Sequence, residues 1–221
     1  MSNIDWYQII LLWIWPIVSG KPTSIIAVFL VYSLQKPNLN ATTSNDPYTE
    51  GALYHFVHLQ IKNILEPFLG GGTATRCRGK IALQDRRSFV TKWADRAEPI
   101  RFEVVKEGEN WNRILLPEPS LLDQAKYEYL RPGDVRGLDV AVRYKGDSSC
   151  FIHEPENFMI PGQRPENRKL GIGSFNFKCV LEYEGGTSKP FYFKIVNKEG
   201  ESPGLLSTQN VDSKKIAKLF L

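Results

Sequence analysis

Phe175-Asn176-Phe177-Lys178-Cys179-Val180-Leu181-Glu182-Tyr183, then Glu184-Gly185-Gly186-Thr187, then Phe191-Tyr192-Phe193-Lys194-Ile195-Val196 is the stretch that decides the fold. Phe175, Phe177, Cys179, Leu181 and Tyr183 fall on one face of an extended chain, and Asn176, Lys178, Val180 and Glu182 fall on the other. A Gly-Gly turn between two such runs is a hairpin signal. The same period of two recurs upstream. Leu53, His55, Val57, Leu59 and Ile61 share a face, with Tyr54, Phe56, His58 and Gln60 opposite, and both faces are apolar enough to predict a central strand. Beyond Gly70-Gly71-Gly72, the residues Cys77, Gly79, Ile81 and Leu83 alternate with Arg76, Arg78 and Lys80. Residues 101–106 form a weaker run, and Leu138 to Tyr144 a short strand after the Pro132-Gly133 turn. No long helical pattern separates these runs, which predicts an antiparallel β-sandwich rather than an α/β fold. The segment 107–131 reads as irregular and the Pro- and Asn-rich segment 145–172 as a long loop. At the C-terminus Asp212 or Ser213 is placed to cap a short amphipathic helix, Lys214 to Leu221.

The chain has 221 residues, of which 42% are hydrophobic and 24% charged, which excludes a disordered protein. A net charge of +4 is too small to point to a nucleic-acid polymer. The charges are unevenly spread, because residues 1–36 carry only Asp5, Lys21 and Lys36. Two apolar stretches, Trp6 to Ser19 and Ser24 to Leu34, flank the helix-stop signal Gly20-Lys21-Pro22-Thr23. Fourteen helical residues cover only roughly 21 Å of a hydrocarbon core about 30 Å thick. Residues 6–34 therefore meet the membrane either as a helical hairpin or as one kinked span with Lys21 near its middle. A signal peptide fits worst, since Asp5 stands where a basic residue is expected. Helices buried against the domain are the competing non-membrane reading. The expected organisation is a helical membrane anchor at 1–36, a sandwich at 37–197 and a tail at 198–221 with the short helix. The N-terminal helices also offer a route to a homo-oligomer.

Cys77, Cys150 and Cys179 are odd in number and carry no CxxC spacing, which favours a reducing compartment and a cytoplasmic domain. Cys77 and Cys179 are expected as reduced thiols in the sandwich interior.

Six pieces then recur in a recognisable order: LQIKNI (59–64), GTATRCRGKIAL (72–83), KWAD (92–95), LRPGDVRGLDVAVRY (130–144), CFIHEPENF (150–158) and FNFKCVLEY (175–183). Over roughly residues 37–197 the chain resembles a widespread prokaryotic Ig-like β-sandwich domain, similar to the CARDB-type sandwiches and often found after N-terminal transmembrane helices. The resemblance implies an Ig-like sandwich on a membrane anchor. It implies no activity.

Candidate chemistry is sparse. His55 and His58 are three apart on a strand and project to opposite faces, so they do not share a metal. Cys150, His153, Glu154 and Glu156 could ligate zinc in principle, yet no second Cys/His pair accompanies them. Gly70-Gly71-Gly72-Thr73 lacks the Gly-Lys-Ser/Thr of a phosphate loop. Arg76, Arg78, Lys80, Arg86 and Arg87 make a basic stripe, read as a solvated sheet face or as a contact for an anionic group. No catalytic residue, metal or cofactor is expected, and the chain reads as a non-enzyme. The expected function is a membrane-anchored binding protein whose sandwich recruits a protein partner. Its expected binding residues are Phe151, His153, Glu156, Asn157, Phe158, Arg164 and Arg168 in the long loop, with Arg76, Arg78 and Lys80 on the stripe. Two alternatives stay open: a membrane-disrupting effector that oligomerises when its domain senses a ligand such as a nucleotide signal, and an assembly factor of a membrane complex.

Overall fold

The computed structural model describes residues 36–44, 49–65, 71–94, 100–107, 110–155 and 164–220. In chain order the strands are β1 (Leu39–Ser44), β2 (Tyr54–Asn63), β3 (Ala74–Leu83), β4 (Ser88–Val90), β5 (Lys92–Trp93), β6 (Ile100–Glu107) and β7 (Asn110–Pro117). A helix, α1 (Pro119–Lys126), follows, then β8 (Glu128–Leu130), β9 (Val135–Tyr144), β10 (Cys150–Ile152), β11 (Lys169–Leu170) and β12 (Gly173–Tyr183). The last elements are β13 (Gly186–Thr187), β14 (Phe191–Asn197), β15 (Leu206–Asn210) and the short helix α2 (Ser213–Ile216). The first sheet runs β1-β2-β9-β10-β11, with β5 also on β9; the second runs β15-β14-β12-β3-β4, with β8 on β3 and β13 on β12. All their pairings are antiparallel.

A single core joins the two sheets. Leu59, Ile61, Leu138 and Ile152 come from the first, and Cys77, Ile81, Phe177, Leu181, Phe193 and Ile195 from the second. The alternation in β2 and β3 places these side chains inward. Burying a side chain of this size contributes about 1.5–3 kcal/mol each. The packing leaves no room for a side chain at Gly79, where an added Cβ would lie 2.4 Å from Leu138 Cδ2 and 2.6 Å from Thr91 Oγ1. Trp93 is fully buried and donates from Nε1 to the Cys77 and Lys126 carbonyls at 3.0 and 3.2 Å. This ties the start of β3 to the end of α1.

Two buried polar side chains close the ends of the sandwich. Asn63 donates to the Gly72 and Leu130 carbonyls at 2.7 and 2.9 Å and accepts from the Asn38 N–H at 3.1 Å. Arg143, with no exposed surface, donates to the carbonyls of Asp147, Lys198 and Gly200 and to Asn197 Oδ1. All its acceptors are neutral, and burial lowers its pKa.

Several expectations need correction. The sheet does not stop at residue 197, because β15 pairs with β14 from Phe193↔Asn210 to Asn197↔Leu206. Its inward residues are Leu206 and Thr208, so the apolar half of the alternation is only one residue deep. The segment 107–131 is not irregular, since it holds β7, α1 and β8. The segment 145–172 is not one loop, for β10 and β11 extend the first sheet. The tail helix starts where a cap was expected, with the Asp212 carboxylate accepting from the Lys214 N–H, but its α-helical part ends at Ile216 and a 3-10 helix continues it over Ala217–Phe220. No helix among the described residues is long and apolar enough to cross a membrane. The anchor expected at 6–34 lies outside the described residues.

Candidate functional site

The site grows from an irregularity in β3. Ala74 pairs with Leu130 and Cys77 with Glu128, so Thr75 and Arg76 together oppose the single residue Tyr129. Such a β-bulge turns a side chain away from its regular direction. Here Arg76 takes the left-handed conformation, with φ at 47°. Its guanidinium carbon lies 4.9 Å from the centre of the Tyr127 ring.

Tyr127 is the residue at which α1 ends, its N–H donating to the Asp123 carbonyl at 3.2 Å. Two strand positions on, the regular pleat is restored and Arg78 points outward again. Arg78 Nε and Nη2 each lie 2.7 Å from Glu182 Oε2, and Nη1 donates to the Tyr127 hydroxyl at 3.4 Å. The register makes this inevitable, because Arg78 and Glu182 are directly opposed on β3 and β12. Lys80 reaches the other Glu182 oxygen at 3.8 Å. Donating this hydrogen bond to the Glu182 carboxylate raises the Arg78 pKa.

Around this pair lies a two-part groove. One depression of ≈ 360 Å³ is lined by Arg76, Arg78, Tyr127, Glu182, Tyr183 and Glu184. A second of ≈ 250 Å³ is lined by Arg76, Asp123, Gln124, Tyr127 and Tyr129. Arg76 and Tyr127 are common to both and form the saddle between them. Arg76, Arg78 and Lys80 of the basic stripe are thus brought to one face. The carboxylates and tyrosines of the groove were not singled out from the sequence. The alternating aromatics of Tyr127-Glu128-Tyr129 were the available signal.

The long-segment residues fare differently. Phe151 is 3% exposed and His153 2%, so neither presents its side chain to a partner. His153 packs edge-on to Phe56 at 4.8 Å. Burial, with Lys92 and Arg168 nearby, pushes its pKa down to about 3. Arg168 Nη2 pairs with Glu154 at 2.6 Å, and Glu154 Oε1 accepts from the Val90 N–H at 3.2 Å. With Arg87 Nη1 donating to the Asn167 carbonyl at 2.7 Å, these contacts tie the second sheet's edge strand β4 to the first sheet. Arg164 does reach the surface, stacked 4.7 Å over Tyr144 and paired with Asp147 at 2.5 Å. Glu156, Asn157 and Phe158 lie outside the described residues.

No nucleophile emerges from the thiols. Cys77, Cys150 and Cys179 are free and buried, and desolvation pushes each thiol up to about 12. Lys92 and His58 each lie 3.9 Å from Asp139, but Lys92 and Asp139 are 4% and 6% exposed and form an internal charge pair. Among the described residues, no group of three or more His, Cys, Asp or Glu is placed to hold a metal ion.

The chain is thus a two-sheet antiparallel sandwich with a groove lined by arginines, carboxylates and tyrosines on the outer face of its second sheet. No protein-family model, curated protein or solved structure matches it.

Proposed function

We propose that the protein is a non-enzymatic recruitment module: an Ig-like sandwich, tethered to the membrane through residues 6–34 with its domain in the cytoplasm, that binds a protein partner. The tether rests on the apolar, nearly uncharged sequence of that segment, and the cytoplasmic side on three free cysteines. The Ig-like assignment draws on the two antiparallel sheets and on the ordered motifs between residues 59 and 183.

One observation carries the recruitment reading. Arg76 holds a left-handed backbone, which costs a non-glycine residue about 1–3 kcal/mol, and its exposed side chain makes no ion pair among the described residues. Strain that adds little to the fold is retained where a surface is being shaped. This supports the groove as the binding surface over the buried Phe151 and His153. A benzophenone-bearing residue at position 129, introduced into the full chain in cells, is expected to crosslink a discrete protein, and Arg76→Glu is expected to abolish the adduct. An adduct that survives Arg76→Glu unchanged would remove the groove from the account.

A further inference from the structure

We infer that the groove takes a single carboxylate side chain presented by an extended peptide that is otherwise neutral or basic, an inference that rests on the groove being the recruitment surface. Arg76 has its guanidinium carbon 4.9 Å over the Tyr127 ring on an exposed side chain, and the N–H donors along its guanidinium edge make no hydrogen bond or ion pair among the described residues. That edge matches the two oxygens of a carboxylate in a bidentate pair. Arg78 is already held by Glu182, so Arg76 is the cation with unspent donors.

The walls restrict what else can enter. Glu182 and Glu184 line one depression and Asp123 the other, so carboxylates stand on both sides of the Arg76 saddle. A phosphate backbone or a run of acidic residues would set further negative charges beside them, and like charges at close range disfavour that partner. An isolated carboxylate on Arg76 sets one negative charge beside them rather than several. The rings of Tyr127, Tyr183 and the 54% exposed Tyr129 supply apolar contact for residues beside it. Depressions of ≈ 360 and ≈ 250 Å³ hold individual side chains, which fits a strand-like segment lying across the saddle.

The test is selection of a random-peptide phage library on the full chain in nanodiscs, with Arg76→Glu protein as counter-target. The enriched peptides are expected to share one Asp or Glu with no second acid beside it. For a synthetic enriched peptide, replacing that acid by its amide is expected to weaken binding by about tenfold or more, the effect of one charge-assisted hydrogen bond. The variant Arg76→Gly, which keeps the left-handed backbone unstrained, is expected to show the same loss, and Arg76→Lys a smaller one. Peptides that lack an acid, carry acidic runs, or bind Arg76→Gly as well as wild type would overturn the carboxylate while leaving recruitment standing. Failure to enrich any peptide over the Arg76→Glu target would overturn both.

Discussion

At the scale of single residues, the fold depends on a few positions where a side chain is missing or buried against habit. Gly79 is one of these. Its Cβ-less face receives Leu138, itself fully buried, and Thr91, whose hydroxyl donates to the Gly79 carbonyl at 3.2 Å. Neither neighbour can swing away, so Gly79→Ala is expected to destabilise the domain by about 1–3 kcal/mol through overpacking. Urea titration of the two proteins checks this, and an unchanged midpoint would mean that the sheets separate more easily than their packing implies. The glycine was legible as part of an alternating strand, but its partner was not, because pairing across a sandwich leaves no mark on local periodicity. Arg143 was illegible for a related reason. In Leu138 to Tyr144 it reads as the solvated end of a short strand, whereas its acceptors come from turns 4 to 57 positions away in the chain.

Whole elements were legible where a period of two runs over six residues or more. Strands β2, β3, β12 and β14 were all anticipated, as was the hairpin turn, where Gly185 takes φ of 91°. Pro190 interrupts that hairpin, since it has no N–H for the ladder, and pairing resumes at Phe191. Short or polar elements were missed. The three residues of β10 are buried on both faces and carry no alternation, and Leu206-Ser207-Thr208-Gln209-Asn210 hides its inward Thr208 among polar neighbours. Yet β15 covers the side of β14 and brings Leu206 to 1% exposure. Removing residues 206–221 is expected to strip that cover and cost at least the roughly 1.5–3 kcal/mol of one buried leucine. Far-UV circular dichroism and limited proteolysis would reveal the loss, and a shortened chain as stable and protease-resistant as the full one would show that β15 is an accessory.

For the molecule as a whole, acid is the expected weak point. His153 is held neutral in the folded state down to about pH 3, by burial first and then by Lys92 and Arg168, whereas its ordinary value is 6.5. Between these values the unfolded chain binds a proton that the folded chain does not. Stability on this account is complete above pH 6.5 and falls as the pH drops towards 3, approaching about 1.4 kcal/mol per pH unit. His153→Leu is expected to flatten this part of the denaturation profile relative to wild type; parallel profiles would assign the acid sensitivity to other groups. The site itself was half legible. Its cations were visible in the stripe at 76–80, but the tyrosines and carboxylates that shape them into a groove arrive from α1, β8 and β12 through tertiary pairing. The Arg143 knot has a further consequence, for protein synthesis. The carbonyls that hold its guanidinium include those of Lys198 and Gly200, between the last two strands of the domain's second sheet. On a translating ribosome the charge must stay hydrated until those residues emerge, so the domain cannot finish folding until nearly all of it has been made.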